Sequence, residues 1–156
     1  MTREQMIAHI REANDVARAT AAHGHHPFGA VLVGPDDEVL MRQGNIDTVR
    51  HAENELARRA AAAHSPGFLW TCTLVSTGEP CAMCTGTLYW ANIGRLVYGY
   101  EETKLLALTG DHPENPTMSL PSRTVLASGQ KEIEVYGPFP EIENELLAPH
   151  RDFWKR

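Results

Sequence analysis

With 156 residues, 42% of them apolar and 22% charged, the chain has the length and composition of one soluble domain, residues 1–156, around one core. No run is long and apolar enough to span a membrane. The net charge of −6, with basic residues gathered only at Arg151, Lys155 and Arg156, argues against a nucleic-acid partner, whose phosphates call for a basic surface. The opening Met1-Thr2-Arg3-Glu4-Gln5 lacks the layout of a signal peptide, so a cytoplasmic location is expected.

Residues from Thr2 to His23 predict an amphipathic helix. Thr2 and Gln5 fit a capping box, Met6, Ile10, Ala13 and Ala17 recur at helical spacing, and Gly24 is a natural stop. Pro27 to Val33 reads as a strand, 34–37 as a turn and Glu38 to Arg42 as the returning strand of a hairpin. Gly44 to Arg50 reads as a loop. His51 to Ala63 is rich in helix formers, and Ser65-Pro66-Gly67 should break that helix. Thr71 to Thr77 predicts a buried strand, Cys81 to Ala91 a helix, Arg95 to Tyr100 a strand and Ile133 to Tyr136 the last strand. Glu141 to Trp154 reads as helical with a break near Pro149. Glu101 to Ser128 holds three prolines and few periodic apolar residues, and reads as a long functional loop or lid. The alternation of strands and helices predicts a three-layer α/β/α domain.

The chemistry is concentrated in two segments. His51-Ala52-Glu53 opens one predicted helix, and Pro80-Cys81-Ala82-Met83-Cys84 opens another. Cysteines three apart on one helical turn point the same way, and a helix N-terminus favours their thiolates. With His51 they make three zinc ligands and leave a fourth position for water, which marks a catalytic site. Zinc lowers the pKa of such a water from about 15.7 to roughly 7. Glu53, two residues after His51, can carry the proton from that water to a ring nitrogen and then to departing ammonia. A scaffold that merely stored zinc would have no use for this carboxylate. An odd number of cysteines argues against a disulfide framework. Cys72, mid-strand, reads as a small buried hydrophobe.

H-x-E followed by P-C-x-x-C is the signature of zinc nucleobase deaminases. The sequence resembles the cytidine-deaminase-like superfamily, most of all its free-base and guanine deaminases and related bacterial nucleoside deaminases. The resemblance covers most of residues 3–100. It rests on Pro27 to Ala30, Gly44-Asn45, the two metal segments with Glu79, and Leu88 to Ala91. It implies a five-stranded mixed sheet between helices, one zinc per chain, a homodimer, and a small base or nucleoside as substrate. It also implies that Asn45 hydrogen-bonds the base, that Phe28 and Trp90 wall the pocket, and that the backbone N–H groups of Ala52 and Cys81 face the substrate. Guanine deaminases add an acid after the last central strand, for which Asp111 and Glu114 are candidates here, and their C-terminal segment completes the partner's site. The residues alone leave Phe28 equally a core residue, Trp90 equally a packing residue of its helix, and Asn45 a turn residue.

The overall pattern favours guanine as substrate. Cytosine is the runner-up, on Cys84-Thr85-Gly86, and a nucleoside is a further alternative. Editing of tRNA adenosine is the other alternative, disfavoured by the acidic balance. His23, His25 and His26 read as loop surface, with a second metal site or a pocket-rim role as the alternatives. Glu79, just before the metal loop, reads as a support behind the metal ligands or a capping residue rather than a catalytic one, and Glu55 with Arg59 as a solvated pair.

Overall fold

The computed structural model describes residues 1–155; Arg156, counted above in the basic end, lies outside them. Helix α1 spans Arg3–Ala22, and both halves of the capping box form: Thr2 Oγ1 accepts from Gln5 N, and Gln5 Oε1 accepts from Thr2 N. Strands β1 (Gly29–Val33) and β2 (Val39–Gly44) make the expected hairpin. Gly29 lies so close under α1 that a Cβ there would sit 2.1 Å from the Ala13 carbonyl oxygen, which explains the glycine at this strand start.

After the loop come α2 (Ala52–Ala63), a short α3 (Pro66–Leu69), β3 (Thr73–Gly78), α4 (Ala82–Trp90) and β4 (Arg95–Tyr100). The sheet order is β2-β1-β3-β4-β5, with β5 at Glu134–Tyr136. β1 runs antiparallel to β2 and β3, whereas β3, β4 and β5 are parallel. This is the five-stranded mixed sheet that the sequence resemblance implies. Period-two alternation sorts each strand between two cores. Val31, Val33, Val75 and Val97 face Ile10, Leu146 and their neighbours. Ala30, Leu32, Leu74 and Leu96 face Leu56, Ala60 and Leu88.

Three sequence expectations are corrected, and that for Ser65-Pro66-Gly67, which does end α2, is extended. Residues 101–128 are not one loop: they contain α5 (Glu102–Thr109) and α6 (Ser122–Ala127). Ser65-Pro66-Gly67 starts a helix rather than only ending one, because Ser65 Oγ caps Phe68 N and Pro66 sits in the first turn. Cys72 precedes β3 instead of lying within it, although it is buried as expected. Finally, Pro149 does not break the last helix. After a 3-10 turn at Pro140–Ile142, α7 runs from Glu143 to Arg151 with Pro149 inside it. Proline removes the N–H that would bond the carbonyl four residues back. That carbonyl, Glu145 O, accepts instead from Asn14 Nδ2 on α1 at 3.3 Å. No described helix is long and apolar enough to cross a membrane.

Candidate metal centre and active site

The parallel strands β3 and β4 carry the chain to one end of the sheet, and α2 packs on α4 there. His51 is the N-cap of α2 and Cys81 the N-cap of α4. Neither side chain caps its own helix, so both are free to point outward at two positive helix ends. His51 Nδ1 lies 3.5 Å from Cys84 Sγ and 3.7 Å from Cys81 Sγ. Tetrahedral zinc, at its usual bond lengths, spaces a nitrogen and a sulfur about 3.6 Å apart. The three ligand atoms lie within 4.8 Å of one another, so they fit one ion. His51 Nε2–H donates to the Thr48 carbonyl at 2.9 Å, which leaves Nδ1 with its lone pair toward the metal.

The charges point the same way. A hydrogen bond from Cys84, with His51 beside it, holds the Cys81 thiol down to about 4. Cys84, facing that thiolate and buried, is pushed up. Two sulfurs this close cannot both ionise alone, and a divalent cation between them removes the conflict.

Glu53 stands beside this group in the first turn of α2 and is 5% exposed. Burial is the main cause raising its pKa, and the His51 charge opposes the shift. Ser76 Oγ lies 2.9 Å from Glu53 Oε1.

A cavity of about 290 Å³ opens over these groups. Phe28, Met83, Leu105 and Met118 give it apolar walls; Glu53, Glu79 and Glu102 bring carboxyl groups to it. Residues 114–118 also line it, so part of the segment read as a lid does reach the site. His26 is at the rim, where its ring meets Trp154 with centroids 4.8 Å apart. That is one of the alternatives rather than the first reading of the histidine cluster. Trp154 packs on its own chain, against Phe28 and His112 as well.

Of the residues assigned to the substrate by resemblance, Phe28 lines the cavity. Trp90 does not: its residue is 80% exposed and borders a separate depression with Tyr89 and Leu126. Helical spacing alone could not tell which side of α4 is covered. Asn45 is buried, but its Nδ2 donates to the Asp47 carbonyl at 3.1 Å, and it lies outside the cavity lining. Ala52 is fully buried at the first position of α2, where its N–H has no intrahelical partner. Asp111 is exposed and off the cavity. Glu114 borders it with a 64% exposed side chain, 4.0 Å from His26 Nε2.

The sequence reading missed Glu102 altogether. It follows β4, lines the cavity and is half-buried. Next to Glu101 it looks like one more solvated charge; only the packing of α5 hides it. Glu79 is the capping residue expected, though over a longer range. Its carboxylate accepts from Ser122 N at 2.9 Å, Ser122 Oγ at 2.8 Å and Glu102 N at 3.4 Å, so it caps both α5 and α6.

Residues 3–100 match the cytidine and deoxycytidylate deaminase zinc-binding region. The chain is 36% identical over 155 residues to a probable cytosine deaminase of Schizosaccharomyces pombe, covering 97% of this chain and 93% of that one. It is 36% identical over 81 residues to a guanine deaminase of Bacillus subtilis, covering 49% and 52%. A solved structure from work on A-to-I editing by tRNA:A34 deaminases superposes with a TM-score of 0.67 at 27% identity, covering 92% of this chain and 99% of that one. The chain belongs to the cytidine and deoxycytidylate deaminase zinc-binding family, and it is a zinc-dependent hydrolytic deaminase.

Proposed function

We propose that the substrate is a free nucleobase, with cytosine first. The observation that carries this reading is the cavity over the metal group: at about 290 Å³ it is at the lower end of ligand pockets, which run from roughly 300 to 1,000 Å³, and suits a small free base. Two further points support cytosine over the guanine that the sequence pattern favours. The similarity to the probable cytosine deaminase runs through 97% of the chain. Trp154 also closes on its own chain's Phe28 and His26.

The residues divide the work as follows. His51, Cys81 and Cys84 hold the zinc, which supplies a Lewis acid that activates water. Glu53 takes the proton of the attacking water, delivers it to the ring nitrogen, and returns a proton to the amino group as the C–N bond breaks. The base and one water become the oxo-base and ammonia. Phe28 and Leu105 exclude bulk water from the ring.

Guanine is the second reading, supported by the Bacillus subtilis relative. Transfer RNA is disfavoured by the net charge of −6 and by the acidic run through Glu132, Glu134, Glu141, Glu143 and Glu145. We propose a homodimer as the working unit: α4 leaves Trp90 80% exposed beside Tyr89 and Leu126, a surface that a second copy of the chain would cover. Ammonia release by the zinc-loaded protein from cytosine, guanine, adenine and cytidine tests the substrate. Turnover of guanine well above cytosine would replace the first reading by the second.

A further inference from the structure

We infer that Asp47 is a positioning residue of the metal centre: its carboxylate shapes the loop before α2 so that the Thr48 carbonyl holds the His51 ring with Nδ1 toward the ion. This role holds whichever base is the substrate. Besides the two cysteines, the His51 ring meets the Thr48 carbonyl oxygen, 2.9 Å from Nε2. A ligating imidazole is aimed by the bond that its other nitrogen makes, so the placing of this carbonyl decides which nitrogen faces the metal. Packing does little to place it: Thr48, Val49 and Arg50 are exposed, and Val49 is 63% exposed.

Asp47 supplies what packing does not. Its Oδ1 accepts the backbone N–H groups of Val49 at 3.0 Å and Arg50 at 2.6 Å. The Val49 N–H and the Thr48 C=O belong to one planar trans peptide unit and point in opposite directions. A carboxylate that grips the first therefore aims the second at His51. The next unit is held from both sides: Asp47 takes the Arg50 N–H, and Asn54 Nδ2 on α2 donates to the Val49 carbonyl at 2.9 Å. Asn45 fastens the base of the loop by donating to the Asp47 carbonyl. The Arg50 N–H first, and then its guanidinium, hold the Asp47 carboxyl down to about 2, so it stays an ionised acceptor at neutral pH. The ion pair, 2.7 Å between Arg50 Nη2 and Asp47 Oδ2, joins side chains 55% and 44% exposed, and such a pair contributes little. The grip on the backbone is what sets the loop.

Wild type, Asp47→Asn, Asp47→Ala and Arg50→Gln should be compared by zinc affinity, measured in competition with a chelator, and by the visible bands of the cobalt(II)-substituted proteins, which report ligand geometry. Asn keeps an oxygen for the two N–H groups and should stay within about threefold of wild type in affinity. Arg50→Gln removes only the ion pair and should match wild type. Asp47→Ala removes the grip and should bind zinc about tenfold to a hundredfold more weakly, with its cobalt bands shifted because the imidazole is no longer held. Wild-type affinity in Asp47→Ala would overturn the inference. So would weakened binding with unshifted cobalt bands, which would make the role one of general stability. An Asn variant as weak as the Ala one, or an Arg50→Gln variant as weak, would overturn it too, because the backbone grip survives in both.

Discussion

Ser76 Oγ lies between two acceptors, 2.9 Å from Glu53 Oε1 and 2.7 Å from the Gly78 carbonyl oxygen. A hydroxyl has one hydrogen. If it goes to Gly78, the contact to Glu53 needs a proton on the carboxyl, which burial favours. If Glu53 is ionised, the hydroxyl can turn and donate to it. Ser76 therefore serves both protonation states that a proton carrier passes through. Ser76→Ala is expected to keep full zinc and to lower kcat by about tenfold or more, with KM little changed. Steady-state kinetics with metal analysis checks this; an unchanged kcat would leave Ser76 as plain packing.

The metal group and the proton carrier should separate cleanly by mutation. Glu53→Gln keeps the ligands and should retain one zinc per chain while kcat falls by about a hundredfold to ten-thousandfold. Cys84→Ala removes a fully buried ligand and should lose both zinc and thermal stability. Metal content and melting temperature, measured on both proteins, distinguish the two outcomes. One full equivalent of zinc in Cys84→Ala, or substantial turnover in zinc-loaded Glu53→Gln, would contradict the assigned roles.

Glu79 ties the loop that precedes Cys81 to both helices of the 101–128 segment, through Glu102 N, Ser122 N and Ser122 Oγ. Glu79→Ala should loosen α5 and α6 and raise KM more than it lowers kcat. Amide hydrogen exchange should rise across residues 101–128 and stay as in wild type in α1. Uniform exchange across the chain would instead mean global destabilisation.

The same contact explains what could be read from the residues alone. His51, Glu53, Cys81 and Cys84 were legible because each half of the site is encoded by spacing within one turn. Helix α1 was legible because Thr2 and Gln5 cap it locally. Helices α5 and α6 have no such signal. Their N-cap positions, Glu101 and Pro121, make no side-chain cap bond, and the cap comes from Glu79, 43 residues before Ser122. Helix α5 buries only Leu105 and Thr109, too few to display a period. Pro149 misled for a related reason: the amide that satisfies the Glu145 carbonyl belongs to Asn14, 131 residues away. Tertiary partners of this kind leave no local trace.

The last expectation concerns acid. His150 is buried between Tyr100 and Trp154: its Nδ1 accepts the Trp154 indole N–H at 3.1 Å, and its Nε2 lies 2.8 Å from the Tyr100 hydroxyl. Burial, with a smaller contribution from the His26 charge, pushes its pKa down to about 3. The unfolded chain has an ordinary imidazole near 6.5. Between these values the unfolded state binds the extra proton, so stability falls as the pH drops from about 6.5 toward 3, by several kcal/mol in all. The raised carboxyls of Glu53 and Glu102 have the opposite sign, since the folded state holds their protons, and they partly offset the loss. Comparison with His150→Phe isolates the imidazole. Denaturant unfolding from pH 7.5 to 4 should show a smaller loss of stability in the variant, whatever its starting level. Parallel curves for the two proteins would mean that His150 is not what makes the fold sensitive to acid.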